Sequence, residues 1–160
     1  YISVPVLIDT DGKKLAAGKD YESTVVYSLE DGTELTKNSK VNAGTKVKVR
    51  VTGKGAYTGE LVGGYQITQN DFNKAKISIS PQTYTGKAVT LNKDSVTVKI
   101  GKDTLTFGTD YEIVENSYAN NVKKGTASVT IVGKGNYGGT KTVKFKIKAR
   151  KLSWFWRLFG

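Results

Sequence analysis

The sequence has no cysteine, no histidine and no methionine, and only 2 prolines among 160 residues. Without cysteine there are neither disulfides nor thiolate metal sites. Without histidine the commonest general base and the commonest metal ligand are both missing. With no distinctive acid pair either, the usual routes to an intrinsic enzyme are closed, and a non-enzymatic chain is expected. No run approaches the ~20 apolar residues of a spanning helix. No segment reads as a signal peptide, and the chain opens on Tyr1 rather than Met, so it reads as a fragment or a processed form.

What is present favours strands. Hydrophobic residues make up 38%, with 9 Tyr, 5 Phe and 2 Trp, which suffices for a thin core if the chain is divided. Val, Thr, Ile and Tyr are frequent, as pleated surfaces prefer, and 18 glycines punctuate them. The formal charge is +11. A basic stripe can bind nucleic acid or anionic glycans and lipids. Here Lys46 and Lys48, and again Lys144, Lys146 and Lys148, alternate with Val, Phe and Ile at the strand period. They read as the wet face of strands, and no nucleic acid partner is expected.

Self-comparison is the most informative step. Val51-Thr52-Gly53-Lys54-Gly55-Ala56-Tyr57-Thr58-Gly59 matches Ile131-Val132-Gly133-Lys134-Gly135-Asn136-Tyr137-Gly138-Gly139 at an offset of 80. Ala17-Gly18-Lys19-Asp20-Tyr21-Glu22 matches Phe107-Gly108-Thr109-Asp110-Tyr111-Glu112 at an offset of 90. Between them, Val41-Asn42-Ala43-Gly44-Thr45 matches Val122-Lys123-Lys124-Gly125-Thr126. The order implies duplication, with about ten extra residues in the first copy around 28–38. There Glu30-Asp31-Gly32-Thr33 reads as a hairpin turn.

Val47, Val49 and Val51, and Ala127, Val129 and Ile131, alternate as half-buried strands. Gly-Lys-Gly-x-Tyr-x-Gly then reverses the chain, and Val143, Phe145 and Ile147 close the second copy. That copy opens with an alternating segment at 75–80, a turn at 81–86, and strands at 89–91 and 96–100. The first copy begins near the equivalent of Leu91 and lacks the opening strand. A cut is the expectation; a strand supplied by another chain is the alternative. The polar stretch 68–74 reads as a short linker. The resulting divisions are 1–70, 71–149 and a tail at 150–160.

The pattern Tyr84-Thr85-Gly86-Lys87, Gly108-Thr109-Asp110-Tyr111, Asn120-Asn121-Val122, Gly125-Thr126-Ala127 and Gly133-Lys134-Gly135-Asn136-Tyr137 resembles the glycine-rich immunoglobulin-like tandem repeats of Gram-positive cell-surface proteins. The resemblance covers 75–148 well and 1–68 less well. It implies an all-β fold of two tandem small immunoglobulin-like antiparallel β-sandwiches, the first lacking its opening strand. It implies an extracellular, cell-surface or wall-associated location and a structural spacer or adhesion module, with cell wall, host glycan or host protein as partner. A carbohydrate- or host-protein-binding module, or an accessory domain of a larger secreted enzyme, are the alternatives. No catalytic residues carry over.

Other signals are weaker. Gly53-Lys54-Gly55 and Gly133-Lys134-Gly135 lack the following helix of a phosphate loop, so no nucleotide is expected. Asp20 with Glu22, and Asp110 with Glu112, are spaced to share a strand face, but their duplication favours a structural turn over an acid pair. Asp9, Asp11 and Gly12 are spaced like the opening of a calcium loop whose later positions hold Lys and Leu, so no metal or cofactor is assigned. Tyr57, Tyr65, Tyr118 and Tyr137 could stack on sugars, Tyr57 and Tyr137 being the candidates that recur; the competing reading is that they cap the core. In the tail, Trp154, Phe155, Trp156, Arg157, Leu158 and Phe159 follow a basic group and read as a short interfacial helix that contacts a membrane surface or another chain. Packing on the sandwich, or a vector-derived extension, are the other readings.

Overall fold

Alternation decides where strands form. In 46–52 every second residue is Val, and every second one is buried, so Val47, Val49 and Val51 turn inward while Lys46, Lys48 and Arg50 face water. The computed structural model describes residues 5–151 of the chain. It is all-β: strands and three single-turn 3-10 helices make up the regular structure of the described residues, and no α-helix is among them. The chain divides into two compact units, Tyr1–Gln69 and Asn70–Gly160.

Unit 1 holds one four-stranded sheet. Its strands are β1 (Val26–Ser28), β2 (Glu34–Leu35), β3 (Lys46–Thr52) and β4 (Glu60–Gln66), in the spatial order β2-β1-β3-β4. The expected hairpin turn is present: β1 pairs antiparallel with β2, and Asp31 Oδ1 accepts from the Thr33 N–H at 2.9 Å. Tyr21, Tyr27, Val47, Val49 and Val51 form the core. Before the sheet, a turn with an isolated bridge between Ile8 and Lys14 lays Leu7 and Leu15 against that core.

Unit 2 is layered on both sides of its core. In chain order its strands are β5 (Asn70–Asp71), β6 (Lys76–Ile79), β7 (Gln82–Thr83), β8 (Val96–Ile100), β9 (Asp103–Thr104), β10 (Tyr111–Ile113), β11 (Gly125–Gly133), β12 (Tyr137–Gly138) and β13 (Thr140–Lys148). One sheet runs β6-β8-β9 and the other β10-β11-β13-β7. Val96 and Val98 from the first meet Ala127, Val129, Ile131, Phe145 and Ile147 from the second in one core, the arrangement of a β-sandwich. A short parallel pair, β5 with β12, closes one end.

The expected strand at 89–91 is not one. Val89 and Leu91 are buried, but their backbone bonds go to loop groups: the Val89 N–H donates to the Asn121 carbonyl, and the Leu91 N–H to the Tyr118 hydroxyl. With partners of that kind there is no ladder to join, and the segment stays irregular. The linker expectation also needs correction. Phe72, in the polar stretch at the boundary, is fully buried at 0% exposure. Asp71 caps the turn that carries it by accepting from the Asn73 N–H, and the ring enters the unit 2 core.

Truncating Phe72 to Ala should therefore destabilise unit 2 by about 3–5 kcal/mol, as for other fully buried Phe side chains. Denaturant unfolding of the variant checks this, and a loss under 1 kcal/mol would place the ring outside the core.

Candidate functional site

The polar groups with any claim to chemistry lie in turns that recur in both units. In unit 1 the Asp20 carboxylate Oδ2 accepts from the Ala16 N–H at 2.9 Å, the Gly18 N–H donates to the Tyr21 carbonyl, and the Lys54 N–H donates to the Asp20 carbonyl. In unit 2, Asp110 Oδ2 accepts from the Thr106 N–H at 2.8 Å, Gly108 donates to Tyr111, and Lys134 donates to Asp110. Gly18 and Gly108 take φ of +79° and +82°, the left-handed region that lets this turn close. The carboxylate substitutes for a backbone acceptor, which fixes the turn's shape.

Asp20 and Asp110 are turn residues, whereas Glu112 stands on β10. The expectation that each Asp–Glu pair lies along one strand thus fails, because the strand starts only after the Asp. Each Glu instead meets the lysine of the glycine-flanked loop: Lys54 with Glu22 at 3.7 Å, and Lys134 with Glu112. These lysines answer a neighbouring carboxylate, and the loops they stand in lead directly into β4 and β12. The loop reverses tightly enough that a Cβ on Gly53 would lie 2.9 Å from the Tyr57 carbonyl oxygen, and one on Gly133 would lie 2.9 Å from that of Tyr137.

The register also recurs. Val47 pairs with Tyr65 and Val51 with Leu61 across β3–β4, and Ala127 pairs with Phe145 and Ile131 with Lys141 across β11–β13. Every pair of the first ladder is matched in the second by adding 80 to both numbers.

The tyrosines proposed to stack on sugars are half-buried, Tyr57 and Tyr137 among them. The Tyr57 hydroxyl donates to Asp9 Oδ2 at 2.9 Å, and Tyr118 packs edge-on against Phe145 while its oxygen serves Leu91. Tyr137 packs against the unit 2 core. Asp9, read as the first position of a calcium-like loop, has its other oxygen occupied by the N–H groups of Asp11 and Lys13 at 3.0 and 2.9 Å. Among the described residues no group of three or more acidic side chains is placed to hold a metal ion. The tail residues Trp154, Phe155, Trp156, Arg157, Leu158 and Phe159 lie outside the described residues.

The feature that sequence reasoning missed is an opening in unit 1. A cleft of about 450 Å³ runs from Asp20 and Gly53 to Tyr57, and a second, of about 380 Å³, lies over Val49 and Val51 and between Leu7 and Gly63. Leu61 lines both and is 59% exposed, although it stands opposite buried Val51. One signal was available: at the offset of 80, Leu61 and Gly63 replace Lys141 and Val143.

No family model, curated protein or solved structure matches the chain.

The electrostatics of the Asp9 turn give a pH dependence. The Lys13 N–H holds the Asp9 carboxyl below the usual carboxylate range against the opposing effect of burial, with further help from the Tyr57 hydroxyl and the Asp11 N–H. A carboxyl depressed on folding stabilises the fold above its unfolded value of ~3.9, and that contribution disappears as the pH falls through the folded value. Asp9 in turn pushes the Tyr57 hydroxyl above its ordinary value, so that contribution is present below ~10 and is lost as the pH rises further. Tyr57→Phe should move the Asp9 value upward but leave it below normal, because both backbone donors remain. Carboxyl carbon chemical shifts followed through an acid titration report this, and an unmoved Asp9 would show that the hydroxyl bond is not formed. Asp20→Ala should cost about 1–3 kcal/mol in denaturant unfolding, since the Ala16 N–H loses its acceptor in a partly buried turn.

Proposed function

We propose that the chain is a tandem immunoglobulin-like spacer or adhesion module of an extracellular bacterial surface protein, with no catalytic role. The observation that carries this reading is the path of the chain ends through unit 2. β7, near its start, pairs in parallel with the last residues of β13, Gln82 opposite Ile147 and Thr83 opposite Lys148. The Tyr84 N–H extends the pairing by donating to the Lys148 carbonyl at 2.8 Å.

A pull on the two ends of unit 2 reaches these parallel bonds after β5 leaves β12 and β6 leaves β8, and it then loads them along the strand axis, so they must break together rather than one after another. β13 is held on its other side by a ladder from Gly125–Ile147 to Val132–Thr140. Such a geometry resists extension, which is what a module standing between an anchor and a distal domain requires. The recurrence of the Asp turn and the glycine reversal supports the same reading, because the polar residues maintain shape in both units. The exposed lysines of β3 and β13 keep such a module soluble and discourage edge pairing.

Force spectroscopy on the full chain tests the proposal. Rupture of the β7–β13 bonds should release the chain between them in one step of about 25 nm at ~3.6 Å per residue. Tyr84→Pro removes the bond to the Lys148 carbonyl and should lower the opening force while changing equilibrium stability little. A gradual extension without a distinct step would count against a spacer. Saturable binding of a soluble glycan that perturbs Tyr57 or Tyr137 would replace the spacer reading with the carbohydrate-binding one.

A further inference from the structure

We infer that the open groove of unit 1 is a strand-acceptor site for a separate extended peptide with a Phe followed by small or β-branched apolar residues three, five and seven positions later. The inference rests on the correspondence between the units and not on the spacer reading.

Unit 2 shows what such a groove holds when it is filled. There residues 70–83 lie across the inner face: β5 pairs with β12, Phe72 and Ala75 are buried at 0% and 1% exposure, and β6 pairs antiparallel with β8 with Ile77 opposite Val98. A Cβ on Gly133 would come within 3.0 Å of the Phe72 ring, so the ring sits directly on that glycine. The Lys141 ammonium holds the segment's backbone, donating to the Asn73 and Ala75 carbonyls at 3.0 and 2.7 Å.

Apart from the lysine clamp, unit 1 has the receiving half of these contacts. Gly53 occupies the place of Gly133 and lines the larger cleft, where the Phe ring would stand. Leu7 occupies the place of Val98, because the Leu15 N–H donates to the Leu7 carbonyl as the Leu105 N–H donates to that of Val98. The smaller cleft, with Leu7 on one wall and Gly63 on the other, is where the residues five and seven positions after the Phe would lie. β4 is the edge of its sheet. The groove differs from its filled counterpart at Leu61, an apolar residue where unit 2 has the Lys141 clamp, so its occupant is held by burial and strand pairing more than by charge.

The test uses the full chain, labelled for NMR, and a synthetic peptide with the sequence of residues 70–83. The peptide should bind with one-to-one saturation and shift the resonances of Leu7, Gly53 and Gly63. Its Phe72→Ala version should bind about ten-fold more weakly. In the protein, Gly63→Phe should abolish binding without lowering the thermal midpoint, since nothing lies within 4 Å of a Cβ at Gly63 and the new ring covers the groove. An absence of saturable shifts, or shifts confined to unit 2, would overturn the proposal. So would a concentration-dependent dimer of the chain alone that shifts the same unit 1 resonances, because the occupant would then be a second copy.

Discussion

A sheet with one apolar face must have that face covered, and this requirement governs both units. The face belongs to β3 in one and β11 in the other, with Val47, Val49 and Val51 or Ala127, Val129 and Ile131 pointing inward. Burial of these side chains is the main favourable term, at about 25 cal/mol per Å² of apolar area removed from water. In unit 2 the cover is complete: a second sheet, the Phe72 turn and the segments holding Val89 and Leu91 enclose the face, and Val129 and Ile131 reach 0% exposure. In unit 1 the cover is partial. The same alternation is present, yet Leu61 on the same side remains largely in solvent.

Much of this arrangement was legible in the residues. The alternation located β3, β11 and β13, and the offsets of 80 and 90 anticipated which backbone bonds would recur, because a turn such as Gly-x-Asp-Tyr has few ways to satisfy its polar groups. The chain divides at Gln69–Asn70, inside the stretch 68–74. The misses have a common cause, which is dependence on distant partners. Phe72 stands alone among Asn, Asp and Lys, so no periodicity marks it; only the space over Gly133 gives it a role. Val89 and Leu91 read as a strand because they alternate, but their partners are the Asn121 carbonyl and the Tyr118 hydroxyl. The bond between Tyr57 and Asp9 spans 48 residues and leaves no local trace. Tyr57 and Tyr137, singled out as candidates for ligand stacking, are half-buried: Tyr137 packs against the unit 2 core, and the Tyr57 hydroxyl is held by Asp9.

The charge distribution follows from the same layering. Lysines line the outer face of β13 at positions 144, 146 and 148, where alternation leaves no other side to occupy. Lys141 is the informative exception, since it stands on the inner side of the same strand and reaches over to two backbone carbonyls. A long flexible side chain there satisfies groups that a sheet edge would otherwise leave to water.

The extra residues of unit 1 have a consequence for engineering. They enter between β1 and β3 as the small hairpin of Leu35 and its turn, while the β3–β4 register stays in step with β11–β13. An insertion has thus been accommodated without shifting a single pair of the β3–β4 ladder. Foreign sequence, such as an epitope or a labelling tag, can be grafted at Asp31–Gly32 with the expectation that the host sheet keeps its pairing.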